Sequence, residues 1–225
     1  YDIPELYNAL PRLVSSTEVI GHITQKTAAE TGLTIDTPVV GGLFDVDAGA
    51  LGSGVIQAGQ ASIIVGTWSI NQVVSSKCII DPNVFMSTVF AVPDLWLTIE
   101  ASATSATNLE WFVTQFCAKE EFEAEKKGVS VYEVCNEMVE STSINEANII
   151  FHPFLYGSNV QGTARSGFYG LAGWHSKKHL LRALYEGVVF GHLTHLEKLR
   201  KAGGEFNKVR LTGGGARSQV WSHMF

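Results

Sequence analysis

The chain has 225 residues, 45% hydrophobic and 17% charged, a balance that supports a packed globular interior and argues against general disorder. With 16 Lys and Arg against 22 Asp and Glu, the formal charge is −6, which gives no basic footprint for nucleic acid. Lys126-Lys127 and Lys177-Lys178 read as solvated faces. Cys78, Cys117 and Cys135 lie far apart without C-x-x-C spacing, so they read as plain buried or half-buried thiols in a reducing compartment, with no disulfide framework or zinc site. No apolar run approaches the roughly 18 residues of a membrane helix, and a cytoplasmic location without membrane partners is expected.

Residues 1–16, with Pro4 and Pro11, read as a short helix leading into a loop. Residues 16–21 start a strand or turn, and residues 24–31 form a helix that Gly32 ends. Val39-Val40, after Pro38, reads as a buried strand, and Asp45 falls where that strand gives way to a helix of small residues. After Gly59 the pattern changes to short β-rich segments at 61–65, 70–74, 84–92 and 95–99, which places a domain boundary at about residue 58 and gives domains of 1–57 and 58–225. Leu109, Phe112, Val113 and Phe116 repeat at helical spacing within 104–119, and 119–128 reads as charged and exposed. Residues 130–140 form a second helix, 149–151 a strand and 152–165 a loop. The longest helix covers 177–201 and stops at Gly203-Gly204; Val209 to Thr212 is a strand, and Gly213-Gly214-Gly215 turns the chain at its end. Strands alternating with helices give an α/β class.

Several residues carry chemistry. Asp45, at the end of a strand, is either an N-cap for the next turn or a carboxylate placed for reaction. Asp47, two residues on, should point away from Asp45 and reads as exposed or as support for the helix dipole. Gly66-Thr67 after a strand is either a plain turn or a place where amides and the Thr67 hydroxyl approach a phosphate. The glycines at 213–215 let the backbone pass close to a flat ligand. His192 and His195 sit three apart on the long helix; with no third ligand evident they read as satisfied surface or interface histidines, and no metal site is assigned. No G-x-x-x-x-G-K-[ST] segment occurs, which excludes a P-loop.

Three segments in order, GGLFDVDAGAL from Gly41 with VGTW following at Val65, SGFYGL from Ser166 with HLLRALYE at His179, and LTGGGARSQVW from Leu211, make the whole chain resemble the FGGY-type carbohydrate kinases. Within that family, GGLFDVDAGAL, GTW, EASATSATNLEWF and HPFLYGSN look most like the L-xylulose kinase branch. The resemblance implies a ribonuclease-H-like, actin-like ATPase fold, with the chain spanning the end of the N-terminal, sugar-binding domain and most of the first part of the C-terminal, nucleotide-binding domain. It implies transfer of the ATP γ-phosphoryl group, with Mg²⁺, to a primary hydroxyl of L-xylulose or a related keto-sugar or keto-sugar acid. Asp45 would be the general base; Gly66 and Thr67 would contact phosphate; Ala106, Glu110, Gly214, Gly215, Ala216 and Gln219 would line the adenine pocket, where a side chain at Gly215 is expected to occupy the space of the base. Trp68, Glu100 and Asn108 are similar to branch features, Tyr156 and Asn159 are placed toward the cleft, and a homodimer is left open. The first residue is not Met and the last comes soon after a glycine turn, so a piece of a longer polypeptide, poorly active alone and with exposed apolar faces, is expected. The competing class is a non-catalytic nucleotide- or sugar-binding module of the same fold, which would have no use for a base at Asp45.

Overall fold

The structure, a computed structural model, describes residues 3–146, 148–158 and 162–225; Asn159 lies outside them. Two compact units divide the chain, residues 1–49 and residues 50–225.

In the first unit, residues 4–9 make a 3-10 helix begun by Pro4, which suits a first helical position because its missing N–H would be unpaired there anyway. Strand β1 (Val19–His22) pairs antiparallel with β2 (Pro38–Val40). Between them runs helix α1 (Gln25–Thr31), capped by Thr24, which accepts from the Thr27 amide, and closed by Gly32 in the left-handed region at φ 76°. The expectation of a buried β2 is corrected, since Val39 and Val40 are exposed; within this unit a two-stranded ribbon and a two-turn helix offer no second layer to cover it. Helix α2 (Asp45–Gly52) starts in this unit and ends in the next.

The second unit is built on a five-stranded sheet of order β5-β6-β4-β3-β9, from β3 (Gln60–Val65), β4 (Ser69–Ser75), β5 (Met86–Val89), β6 (Trp96–Ser102) and β9 (Lys208–Thr212). All pairs are antiparallel except β3 and β9, which run parallel with Ala61 opposite Val209 and Ile64 opposite Thr212. That parallel pair brings the carboxyl ends of β3 and β9, and so the Gly66 and Gly213 turns, side by side. Helices α3 (Thr107–Phe116), α5 (Val131–Glu140), α6 (Lys177–Lys201) and α7 (Gln219–Met224) pack with strand β7 (Ile150–His152) into one core that includes Ile63, Val65, Phe112, Val139, Phe151, Leu184 and Trp221. β7 pairs with β8 (Gly167–Tyr169).

Residues 119–128 differ from the reading of a merely charged, exposed stretch: they lie in helix α4 (Ala118–Lys127), whose Glu120 and Ala124 are buried. Glu120 accepts from Lys177 Nζ at 2.6 Å, so Lys177 is half-buried and paired rather than solvated. Glutamates and lysines are good helix formers, and the apolar stripe of this helix is too sparse to show as a periodicity. Cys117 and Cys135 are buried and Cys78 is exposed. Burial raises both buried thiols, Cys135 to about 12, so they are neutral packing groups. Among the described residues no helix is long and apolar enough to cross a membrane.

Candidate active site

Asp45 owes its place to the two glycines before it. A Cβ on Gly41 would run into the Ser15 carbonyl oxygen, and Gly42 sits at φ +84°. Their amides bond to Glu18 O (3.0 Å) and Ser16 O (3.1 Å), so the chain leaving β2 turns tightly against residues 15–18 before α2 begins. Phe44 O accepts the first helical bond, from Ala48 N at 3.0 Å. Asp45 is exposed; its Oδ1 accepts from Val46 N at 2.8 Å, and among the described residues Oδ2 has no partner. The N-cap alternative is thus met only by a bond to the adjacent amide.

Asp47 corrects the reading of an exposed carboxylate. It is 6% exposed, and its Oδ1 has no hydrogen-bond partner among the described residues. Loss of solvent raises its carboxyl above the ordinary 3.8. Because the folded state then holds the proton more tightly than the unfolded chain, stability is highest at low pH and falls as pH rises through that raised value. Asp47→Asn should therefore raise Tm at pH 7, with the gain vanishing towards pH 4. Thermal melts across that range check this, and a gain that grows on acidification would contradict it.

In the second unit a pocket of about 630 Å³ lies at the carboxyl ends of the parallel β3–β9 pair, the end of a parallel sheet where ligands characteristically bind. Gly66, Thr67, Ala106, Glu110, Gly214 and Gly215 line it. Ala216 and Gln219 do not: the Ala216 amide bonds back to Gly213 O at 3.3 Å, and Gln219 is exposed at the start of α7. The Gly66 amide bonds to Trp68 O (3.3 Å), while Thr67 O holds Ser105 N (3.2 Å) and Thr107 Oγ1 (3.1 Å). That leaves the Thr67 amide and hydroxyl without a partner among the described residues. Ala106 N bonds to Gly66 O at 2.8 Å, tying the start of α3 to the β3 turn.

The three glycines serve different ends. Gly213 is at φ +92°, and a Cβ there would lie 2.6 Å from Val65 O. A Cβ on Gly215 would strike the Val65 side chain and lie 3.3 Å from Trp221 Cε3, so it points into the core; a Cβ on Gly214 meets no protein atom within 4 Å. The expectation that a side chain at Gly215 fills ligand space is corrected, because its Cβ vector meets core side chains, whereas that of Gly214 meets open space.

The far wall comes from α5, α6 and α7, through Tyr132, Glu133, Asn136, Tyr185, Ser218 and Trp221. Tyr185 stacks on Trp221 (centroids 4.6 Å apart), and its carbonyl accepts from Trp221 Nε1 at 3.1 Å. None of the α5 and α6 residues is a sequence-predicted site residue; Asn136 and Tyr132 flank the apolar face by which α5 was recognised.

His192 and His195 are not surface groups, being 1% and 3% exposed. His192 Nδ1 lies 2.9 Å from Asn71 Oδ1 and 3.1 Å from Ser69 Oγ, and its Nε2 lies 2.9 Å from Ser105 Oγ. Since Asn71 Nδ2 donates to Ser69, Asn71 Oδ1 is the acceptor, so Nδ1 carries the proton and Nε2 accepts from Ser105. Through Ser105 this imidazole braces the β6–α3 junction, and hence Ala106, against β4. Burial first, then the neighbouring His195, lowers His192 to about 3. An imidazole held neutral contributes stability that is full above the ordinary 6.5 and is lost as pH falls towards 3. Stability should fall on acidification below about pH 6.5, by at most about 1.4 kcal/mol per pH unit, and Tm should drop with it. His192→Gln should flatten the curve between pH 6.5 and 4.5, and an unchanged slope would remove His192 as its source.

His195 Nδ1 bonds to Glu100 Oε2 (3.0 Å) and Nε2 to Ser102 Oγ (3.1 Å), with Lys198 Nζ also on Glu100 Oε2 at 3.1 Å. Burial alone raises the Glu100 carboxyl, but the hydrogen bonds and charges of His195 and Lys198 outweigh it and hold it below the ordinary range. Ser102 and His195 edge a second cavity of about 210 Å³. The hydroxyl, imidazole and carboxylate line up like a nucleophile triad, but Lys198 neutralises the carboxylate, and the Ser105 and Ala106 amides beyond are bonded to Thr67 O and Gly66 O. Asn108 is buried as well, its Nδ2 donating to Ser105 O at 2.9 Å. Glu100 and Asn108 are thus internal to the second unit. Trp68 and Tyr156 are exposed. Among the described residues no group of three or more His, Cys, Asp or Glu could hold a metal ion.

The description "FGGY family of carbohydrate kinases, C-terminal domain" matches residues 61–225, and the corresponding N-terminal domain matches residues 1–52. The "L-xylulose/3-keto-L-gulonate kinase" of Escherichia coli (strain K12) is 39% identical over 223 residues, 99% of this chain and 43% of that protein. The "Probable L-xylulose kinase" of Haemophilus influenzae is 36% identical over 227 residues, 100% of this chain and 44% of the relative. The crystal structure of xylulose kinase from Rhodospirillum rubrum superimposes with a TM-score of 0.81 at 26% identity, covering 96% of this chain and 42% of that one. The chain therefore spans less than half the length of these relatives. With its mixed α/β architecture matched by kinases of the actin-like ATPase fold and both domain descriptions met in sequence order, the chain belongs to the FGGY family of carbohydrate kinases.

Proposed function

We propose that the chain carries the general base and the nucleotide pocket of an ATP-dependent kinase that phosphorylates a primary hydroxyl of a keto-sugar, L-xylulose or a related keto-pentose or keto-sugar acid. The observation that supports this best is the pocket at the end of the β3–β9 pair, where Gly66, Thr67, Ala106, Glu110, Gly214 and Gly215, drawn from three distant parts of the sequence, meet around about 630 Å³. Gly214 leaves room for a flat base, and the Thr67 amide and hydroxyl, without a partner among the described residues, are suited to phosphate oxygens. Ala216 takes part only as a member of the turn that carries Gly214 and Gly215, and Gln219 only through the start of α7 that follows it. The substrate class rests on the names of the two curated relatives, and the domain division at about residue 58 belongs to the same reading.

Asp45 acts as the base: an exposed carboxylate with one oxygen unengaged among the described residues can accept the proton of the attacking hydroxyl. Mg²⁺ supplies neutralisation of the β- and γ-phosphate charge. It characteristically uses one or two carboxylates with phosphates and water. Measuring sugar-dependent ADP release by the whole protein, over keto-pentoses and keto-sugar acids, tests the reading. Release with L-xylulose or a close relative is expected; nucleotide binding without turnover on any of them would favour the non-catalytic module.

A further inference from the structure

We propose that Asn136 is a base-reading residue, donating a hydrogen bond from its side-chain amide to a ring nitrogen of the purine held in this pocket. The inference rests on the proposed nucleotide site and adds a contact on the wall opposite the glycine turn.

Asn136 is half-buried on α5 and lines the pocket. Its Oδ1 accepts two hydrogen bonds, from Ser218 Oγ at 2.8 Å and from Tyr185 Oη at 3.0 Å. Those bonds fix the amide's orientation. Ser218 Oγ already accepts from Trp221 N (3.1 Å) as the cap of α7, so its own proton must go outward, and Asn136 Oδ1 is the acceptor it meets. The Tyr185 phenol is held protonated by burial and needs an acceptor as well. A flipped amide would set N–H groups against both hydroxyls and strand their protons, so the oxygen faces them and the nitrogen faces away.

An amide oxygen with two hydroxyl donors has both lone pairs occupied. The Nδ2 hydrogens have no partner among the described residues. Asn136 therefore offers the pocket only donors, and it does so from a side chain locked by groups on two other helices, which lowers the ordering penalty of binding. Unprotonated purine ring nitrogens are acceptors lying in the plane of the base, the complement of such a donor. A phosphate would also accept from an amide, so the test separates the base from the phosphates.

Binding is titrated calorimetrically on the whole protein with ADP and its 1-deaza, 3-deaza and 7-deaza analogues, the pocket lying entirely within the second unit. One analogue should bind the parent protein about three- to tenfold more weakly than ADP, the measure of one hydrogen bond. Asn136→Asp keeps the acceptor for Ser218 and Tyr185 but removes the donor; it should weaken ADP and bind ADP and that analogue equally. Asn136→Ala, which carries no charge to disturb the phosphates, should lose the same discrimination, and it serves alone if the Asp variant does not fold. If the parent binds all three analogues as tightly as ADP, or if a folded Asn136 variant keeps the discrimination, the contact is absent. If the parent protein takes up no ADP, the nucleotide reading itself fails and this contact with it, an outcome distinct from tight but indifferent binding.

Discussion

Replacing Asp45 with Asn in the whole protein is expected to lower kcat by about 10²- to 10⁴-fold while leaving the affinities for sugar and ATP nearly unchanged. The amide has the same shape and keeps an oxygen for the Val46 amide, so the start of α2 should persist; what is lost is the capacity to take a proton. Asp47→Asn is the matched control, expected to leave kcat within tenfold. The ground for that differs from the one the sequence suggests. Asp47 is buried with an oxygen unpaired among the described residues, so its charge weighs on folding rather than on an approaching substrate, and the effect should appear in Tm. Loss of turnover in the Asp47 variant with full activity in the Asp45 variant would exchange their roles.

The second large effect separates two adjacent glycines. Gly214→Val should weaken ATP binding by about tenfold or more, equivalent to about 1.4 kcal/mol, with little change in Tm, because a Cβ there, on the pocket wall, meets no atom of the described residues within 4 Å. Its backbone, at φ −60° and ψ −40°, suits any residue. Gly215→Val should instead destabilise the fold by about 1–3 kcal/mol, since its Cβ would lie 2.9 Å from Val65 Cβ. In a unit of this size that lowers Tm by roughly 2–12 °C. Calorimetric titration with parallel melts distinguishes the two. Equal losses of affinity in both variants at unchanged Tm would mean that Gly215 also faces the ligand.

That contrast marks where the sequence is legible. Local signals located the elements well: Thr24 and Gly32 bracket α1, and the leucine spacing from Leu180 to Leu196 gives α6 its full length of Lys177–Lys201. A run of glycines announces a backbone in close approach, but not which Cβ vector meets core and which meets solvent; that depends on Val65 and Trp221, brought in by the parallel pairing of β3 with β9. The same long-range pairing builds the pocket floor. Its far wall was illegible because Asn136 flanks the buried stripe of α5 while Tyr185 lies within that of α6, and periodicity does not mark which residue edges a cavity. Part of the family's helix motif has a structural explanation: Arg182 pairs with Glu186 at 2.8 Å and bonds to Thr142 O at 2.9 Å, and Gly187 packs where a Cβ would lie 3.1 Å from Phe151 Cδ1. His192 and His195 looked like surface groups because their partners, Asn71, Ser69, Ser105, Glu100 and Ser102, are on other elements.

The most direct test of the kinase assignment is to follow the γ-phosphoryl group itself. Incubating the whole protein with γ-labelled ATP, Mg²⁺ and L-xylulose or a related keto-sugar should transfer the label to a primary hydroxyl of the sugar, one ADP appearing for each sugar phosphate formed. A folded protein that binds ATP yet leaves every keto-sugar and keto-sugar acid unlabelled would contradict it.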